Sequence, residues 1–324
     1  MTMHTPHDTA RRAAPDGFIL VAVLWIIVAL ATLASIFSIY LANTAVSLSL
    51  NDNSIQTEAL VSASLELTAY QLSVPKSAPA PTVAPATPPT RGDFNFRLGR
   101  ANVAVSYTSE TARIDLNAAP AQLLANFFTV LGVQRQNAEQ YAERIEGWRT
   151  KPKTASAVAA SDDNEDSLYR AAGHNYLPRR APFAHVDELS LVIDLPPELV
   201  ERARPYLTVY SGKPQINVLD AAPEVLSAVP GVTPSLLNAL TNARGTAADP
   251  QSISGMLGPL QQVATVEGSN AYRVQVHIRF DNGRQGASEV VILTGLEDKP
   301  YRVLSWRDGV DASSNPLQSG TRPR

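Results

Sequence analysis

The sequence predicts an α+β protein with a long N-terminal transmembrane and stem helix, an antiparallel sheet domain, and a large helical domain inserted into that sheet. Three observations carry this reading. No charge occurs from Phe18 to Ala42. Strand-like alternation appears before residue 113 and returns after 261, and the residues between read as short helices broken by Pro and Gly.

A chain of 324 residues is long enough for two domains, each with its own core. Charged residues make up only 18%, a low share that suits a membrane segment. The formal net charge of -3 speaks against a general nucleic-acid binder, which carries a basic face. The absence of cysteine excludes disulfides, thiolate metal sites and Cys nucleophiles.

Residues 1–17 form a polar leader ending in Gly17. The apolar run that follows would reach about 37 Å as a helix at ~1.5 Å per residue, enough for a hydrocarbon core of ~30 Å. It is too long for a secretory signal core of roughly 7–15 residues. Arg11 and Arg12 precede it and the next basic residue is Lys76, which places the N-terminus in the cytoplasm and the rest outside. Neither Pro nor Gly interrupts the chain until Pro75, and Ile55, Leu60, Leu65, Leu67 and Leu72 recur along it. One helix is therefore expected over 18–73, apolar all round at first and one-sided later.

Residues 74–91 are crowded with proline and read as an extended linker. The sheet domain is expected over 92–112 and 262–310. Its strand signals are "FNFRL" and "VAVSY", then "VATVEG", "AYRVQVHIRF", "SEVVILTG" and "YRVLSW", with a turn at Asp281-Asn282-Gly283. The helical insert occupies 113–261 and carries a polar loop at 149–164, and residues 311–324 read as a disordered tail.

The insert echoes itself. "LNAAPAQLLANFFTVLGV" at 116–133 resembles "LDAAPEVLSAVPGV" at 219–232, each with an Asn or Asp as expected N-cap, Ala-Ala-Pro opening a helix, and a Gly-Val hairpin. A weaker copy, "HVDELSLVIDLPPELVERA", has Asp194 at the hairpin position. "AVPGVTPSLLNAL" looks like a helix-hairpin-helix unit, a motif that can offer amides to DNA phosphates. Pro234 removes one amide and the nearest downstream base is Arg244, whereas counterion release needs several clustered cations. The hairpins are read as structural, with a membrane-anchored DNA-binding protein as the second reading.

Beyond the leader the histidines are His174, His185 and His277, and none lies in a zinc-binding H-E-x-x-H pair. A G-x-S-x-G elbow and a Walker A loop are also missing, so no enzyme activity is expected. The acidic run Asp162, Asp163, Glu165 and Asp166 offers oxygen ligands of the kind Ca²⁺ prefers, without EF-hand spacing. The other reading is a solvated loop. Trp25, Trp148 and Trp306 read as packing residues.

Together "GFILVAVLWIIVALATLA", "RIDLNAAPAQLL", "PFAHVDELSLV", "RPYLTVYSGKPQINV", "DAAPEVLSAVPGV" and "YRVLSW" resemble the K-type minor pseudopilins of bacterial type II secretion, the general secretion pathway protein K family. The resemblance implies a pilin-like sheet domain interrupted by a helical domain, in an inner-membrane protein at the tip of a periplasmic pseudopilus. The implied partners are the I, J and H minor pseudopilins, the major pseudopilin and prepilin peptidase, with no nucleic acid. It also implies cleavage between Gly17 and Phe18 with N-methylation, although the junction alone also fits an uncleaved anchor. Pilin-like chains usually carry Glu at the fifth position counted from Phe18; here that residue is Ala22, and members of the K family characteristically lack the Glu. Some members bind calcium after a Trp-Arg-Asp-like segment. Here the segment reads "GWRTKPK", with Thr150 and Lys151 where carboxylates are expected, which leaves the acidic run as the remaining candidate.

Overall fold

The computed structural model describes residues 16–73, 88–151, 159–245 and 250–309. Most of the leader, most of the Pro-rich linker and the C-terminal tail therefore lie outside the described residues. The chain divides into two units, Met1–Ala59 and Leu60–Arg324. The first helix, α1 (Asp16–Ser73), contributes to both.

In the first unit, Leu20–Leu41 is a 22-residue apolar stretch that is long enough to cross a membrane. Its large side chains are exposed throughout, including Trp25, Ile36 and Phe37. The polar residues within it do not break this surface: Thr32 Oγ1 donates to the Ala29 carbonyl at 2.8 Å and Ser35 Oγ to the Ala31 carbonyl at 2.9 Å. Hydroxyls satisfied on their own helix need no partner from lipid.

The second unit holds a five-stranded antiparallel sheet of order β1-β2-β7-β8-β9. These strands are β1 (Arg91–Leu98), β2 (Ala101–Ser109), β7 (Ala271–Phe280), β8 (Gln285–Thr294) and β9 (Tyr301–Asp308). Period-2 alternation sets their register: Phe94 and Phe96 stand opposite Val105 and Val103, and Val276 and Val274 stand opposite Val105 and Tyr107. The last turns of α1 cover this face. Leu60, Val61, Leu65 and Leu72 are buried with Val103, Val105, Val274, Val276, Ile278, Val290 and Ile292 in one apolar cluster. Gly283, at φ +85°, turns the β7–β8 hairpin as its sequence requires.

Between β2 and β7 runs the helical block. Its elements are β3 (Ile114–Asp115), α2 (Ala121–Val130), α3 (Arg135–Arg149), α4 (Ala159–Ala171), α5 (Pro197–Ala203), β4 (Leu207–Thr208), β5 (Ile216–Asn217), α6 (Pro223–Ala228), α7 (Pro234–Gly245), α8 (Pro250–Leu257) and β6 (Ala264–Thr265). It has its own core around Phe127, Phe128, Ile145, Tyr169, Leu189 and Leu226.

Three local expectations are corrected. The acidic end of the expected 149–164 loop is helix: α4 begins at Ala159, is anchored by buried Tyr169, and carries an Asp166–Arg170 pair one turn apart. "VATVEG" does not join the main sheet, because β6 pairs in parallel with β5 inside the block. Asn117 and Asp220 do not cap helices. The N-caps of α2 and α6 are Pro120 and Ala222, with no side-chain cap bond. Asn117 pairs instead with the Phe183 backbone, accepting at 2.7 Å and donating at 3.0 Å. Asp220 forms an ion pair with Arg91 at 3.4 Å.

Sheet and block meet at a buried charge cluster. Glu110, fully buried, accepts from Arg273 Nε at 2.8 Å and Nη2 at 3.1 Å, and from the Thr208 hydroxyl of β4. Arg113 stands 3.5 Å away, and Arg273 and Arg307 each reach Glu289 at 2.6 Å. Burial alone would raise the Glu289 carboxyl, but Arg273 and Arg307 hold it down at about 2. Glu110 is lowered in the same way: burial opposes, and Arg273, then Arg113, prevail.

Arg273→Met removes the two closest guanidinium bonds of buried Glu110 and leaves it Thr208 and the more distant Arg113, so urea denaturation of the detergent-solubilised chain should show a loss of about 3–5 kcal/mol. Adding Glu110→Gln should recover most of that loss, and an unchanged stability in the single variant would refute the role of the pair. The lowered carboxyls also set a pH dependence. Their stabilisation is complete above the ordinary carboxylate value, because there both folded and unfolded forms are ionised, and it is lost as pH falls toward about 2, where the folded groups take up protons. Melting midpoints should therefore drop between about pH 6 and about pH 3, and by less in Glu289→Gln.

Candidate functional site

The expected processing and anchor residues sit at the start of α1. Gly17 and Phe18 lie on its helical backbone, and the Phe18 side chain is outside the described residues. Ala22 lies in the apolar Leu20–Leu41 stretch, among exposed Leu20, Val21, Val23 and Leu24. Within a bilayer a carboxylate at this position would be costly, whereas a methyl group carries no such cost.

The helical block is built on a doubled scaffold. In the first copy, β3 pairs in parallel with β4, then come α2, a turn at Gly132 with φ +90°, and α3. In the second, β5 pairs in parallel with β6, and α6, Gly231 at φ +86° and α7 follow. Asp115 Oδ1 accepts from the Asn117 amide at 2.8 Å, and Asn217 Oδ1 accepts from the Leu219 amide at 2.7 Å. Each of these short turns bends the chain from its two-residue strand into the Ala-Ala-Pro segment.

An arginine at the end of the second helix of each copy then closes the unit. Arg149 donates to the Leu116 carbonyl and, at 2.7 Å, to that of Ala119. Arg244 donates to the Val218 carbonyl and, at 2.8 Å, to that of Ala221. The guanidinium fork suits this task because it places two donors in fixed geometry against two carbonyls of one turn. Burial lowers both arginines, Arg244 to about 10, which leaves Arg244 charged at neutral pH.

The weaker copy also has its turn residue in the left-handed region, with Asp194 at φ +66°. Hairpin amides are spent inside the unit: Gly132 and Val133 donate to the Thr129 and Phe128 carbonyls, and Val232 to Val229. Donors used in this way are not presented to a phosphate.

The side chains of Glu165 and Asp166 in the acidic run are among the described residues. Asp162 and Asp163 are on the α4 backbone with side chains outside the described residues. Glu165 accepts from Arg144 of α3 at 2.7 Å, and Asp166 accepts from Arg180 at 2.6 Å. Among the described residues, Glu165 Oε1 and, in the helical core, Trp148 Nε1 are buried without hydrogen-bond partners. Among the described residues no group of three or more metal-ligating side chains comes together. Ca²⁺ needs about six to eight oxygen ligands. Two carboxylates already matched by guanidinium groups do not fit it, and Thr150 and Lys151 add no carboxylate.

Nothing in the sequence marked the roles of Arg144, Arg149 and Arg244, although Arg244 stood out as the nearest base downstream of the hairpin. Arg149 was visible only as the residue after Trp148 in "GWRTKPK", with nothing to indicate that its partners are backbone carbonyls.

Comparison with known proteins bears on the whole arrangement. No curated protein matches the sequence. The crystal structure of the GspK-GspI-GspJ complex from the enterotoxigenic Escherichia coli type 2 secretion system contains a chain similar in fold, with a TM-score of 0.53 and 20% identity. The match covers 81% of this chain and 99% of that one. Residues 99–212, from the start of β2 through the first copy of the doubled unit, match the family model for type II secretion system protein K. Over those residues the chain is similar to the type II secretion system protein K family, and the fold of the second unit agrees with that likeness.

Proposed function

We propose that this chain is a minor pseudopilin that caps the tip of the type II secretion pseudopilus, supporting its initiation and the export of folded proteins across the outer membrane. The observation that carries the reading is the architecture itself. A helix able to cross a membrane continues into a sheet domain, and a whole helical block is built into the connection between β2 and β7. Such a block widens the head without disturbing the face on which Leu60, Leu65 and Leu72 pack. A wide head is compatible with a terminal position and is an obstacle within a stack of identical shafts.

In this reading the N-terminus is cytoplasmic, α1 crosses the inner membrane once, and the remainder is periplasmic. Prepilin peptidase hydrolyses the Gly17–Phe18 bond, leaving the Phe18 amine to be methylated. The partners are the I, J and H minor pseudopilins and the major pseudopilin below. Leu67 and Tyr70, 40% and 67% exposed on the side of α1 away from the sheet cluster, are suited to contact them. Ala22 belongs to the same reading: the pilin Glu neutralises the terminal amine of the subunit above, and a tip subunit has no such neighbour.

N-terminal sequencing of the membrane-extracted protein should begin at Phe18, and a chain beginning at Met1 would remove the processing claim. Ala22→Glu should move the protein from the tip into the filament shaft, read as a several-fold rise in the amount recovered with sheared pseudopili. An unchanged tip stoichiometry would count against this account of Ala22. DNA titration of the solubilised chain should show no binding with a steep salt slope; micromolar affinity with such a slope would instead favour a nucleic-acid role.

A further inference from the structure

The two described carboxylates of the acidic run belong to a larger set of ion pairs. Arg144 of α3 reaches Glu165 of α4 at 2.7 Å and Asp194 at 3.4 Å, and Gln140 also donates to Asp194 at 3.4 Å. Arg180 reaches Asp166 at 2.6 Å. Three separate stretches of chain, α3, α4 and the connection from residue 180 to 194, are thereby joined by two guanidinium groups.

The geometry is not that of loose surface pairs. Arg144 and Glu165 are only 16% and 15% exposed, and Arg180 and Asp166 are each 21% exposed. Arg180 and Asp194 are also the two positive-φ residues other than glycine among the described residues, at +52° and +66°. A left-handed backbone persists at a non-glycine residue when its surroundings hold it there. Here both such residues are ends of the same ion-pair set. At Gly147 an added Cβ would lie 3.2 Å from the Glu165 side chain, so α3 and α4 approach closely beside the pair.

We infer that arginines 144 and 180 clamp this block in place of a bound divalent cation, so that its stability is independent of calcium. One cation bridging several carboxylates and two guanidiniums bridging the same segments satisfy one electrostatic requirement. The sequence carries the second solution, with basic groups on Glu165, Asp166 and Asp194 and Thr150 and Lys151 after Trp148-Arg149. This inference concerns how the block is held and does not rest on the tip assignment.

The test uses the full chain in detergent micelles, heated in calcium chloride and in EGTA while tryptophan fluorescence is followed. The two midpoints should coincide, and a midpoint several degrees higher in calcium would overturn the inference. Calorimetric titration with calcium chloride should show no stoichiometric uptake; one equivalent bound at micromolar calcium would overturn it as well. Arg144→Met should lower the midpoint in EGTA by about 4 °C or more. Arg144→Lys should recover only part of the loss, because an ammonium group lacks the fork that holds two carboxylates. If Arg144→Met does not fold, Arg144→Lys alone is compared with the parent, and in either variant an unchanged midpoint would overturn the clamp.

Discussion

The fold of the second unit depends on how one carboxylate, Glu110, is taken out of water. It sits where the chain leaves β2, fully buried, and its partners come from both sides of the boundary: Arg273 from the sheet, Thr208 from the block, and Arg113 beside it. An unpaired charge at this position would be intolerable, so the block must dock in the one orientation that brings Thr208 and Arg273 together on Glu110. Hydrophobic burial supplies most of the energy of each core. The directional charge-assisted bonds fix how the two cores are joined.

The stem and the long strands were legible because their signals are long. α1 shows through length and composition, β2 and β7 through alternation along their whole length, and β8 through the unbroken apolar run Val290 to Leu293. The two-residue ladders were not legible, since two residues have no period. α4 was hidden for a different reason. Its sequence is polar, and it is held by Tyr169 and by arginines on other segments, which are distant in the chain. Asn117 and Asp220 were misread as caps because their partners, the Phe183 backbone and Arg91, are also far away in sequence.

The doubled unit was visible as Ala-Ala-Pro and Gly-Val, which are turn chemistry and therefore local. What completes it was not visible: Arg149 and Arg244 bind carbonyl oxygens, which every residue possesses and no sequence pattern marks. The two copies also differ by one residue, since "IDLNAAP" corresponds to "INVLDAAP". The arginines follow the backbone positions and not the Ala-Ala-Pro letters. Structure therefore preserves the repeat more faithfully than spelling does.

The place where the block departs and returns has a consequence for folding. Ser109 and Ser269, separated by 160 positions in sequence, have hydroxyls 3.3 Å apart, and the Ser269 amide donates to Ser109 Oγ at 2.8 Å. The central β2–β7 pairing thus joins strands at opposite ends of a very long loop. If that loop were an unstructured coil, closing it would be slow, although each doubling of length adds only about 0.6 kcal/mol. A block that collapses on its own core first presents its two ends side by side, and the strands then meet as though joined by a short turn. In kinetic terms the insertion acts as its own hairpin, converting the most distant pairing in the sheet into an effectively local one.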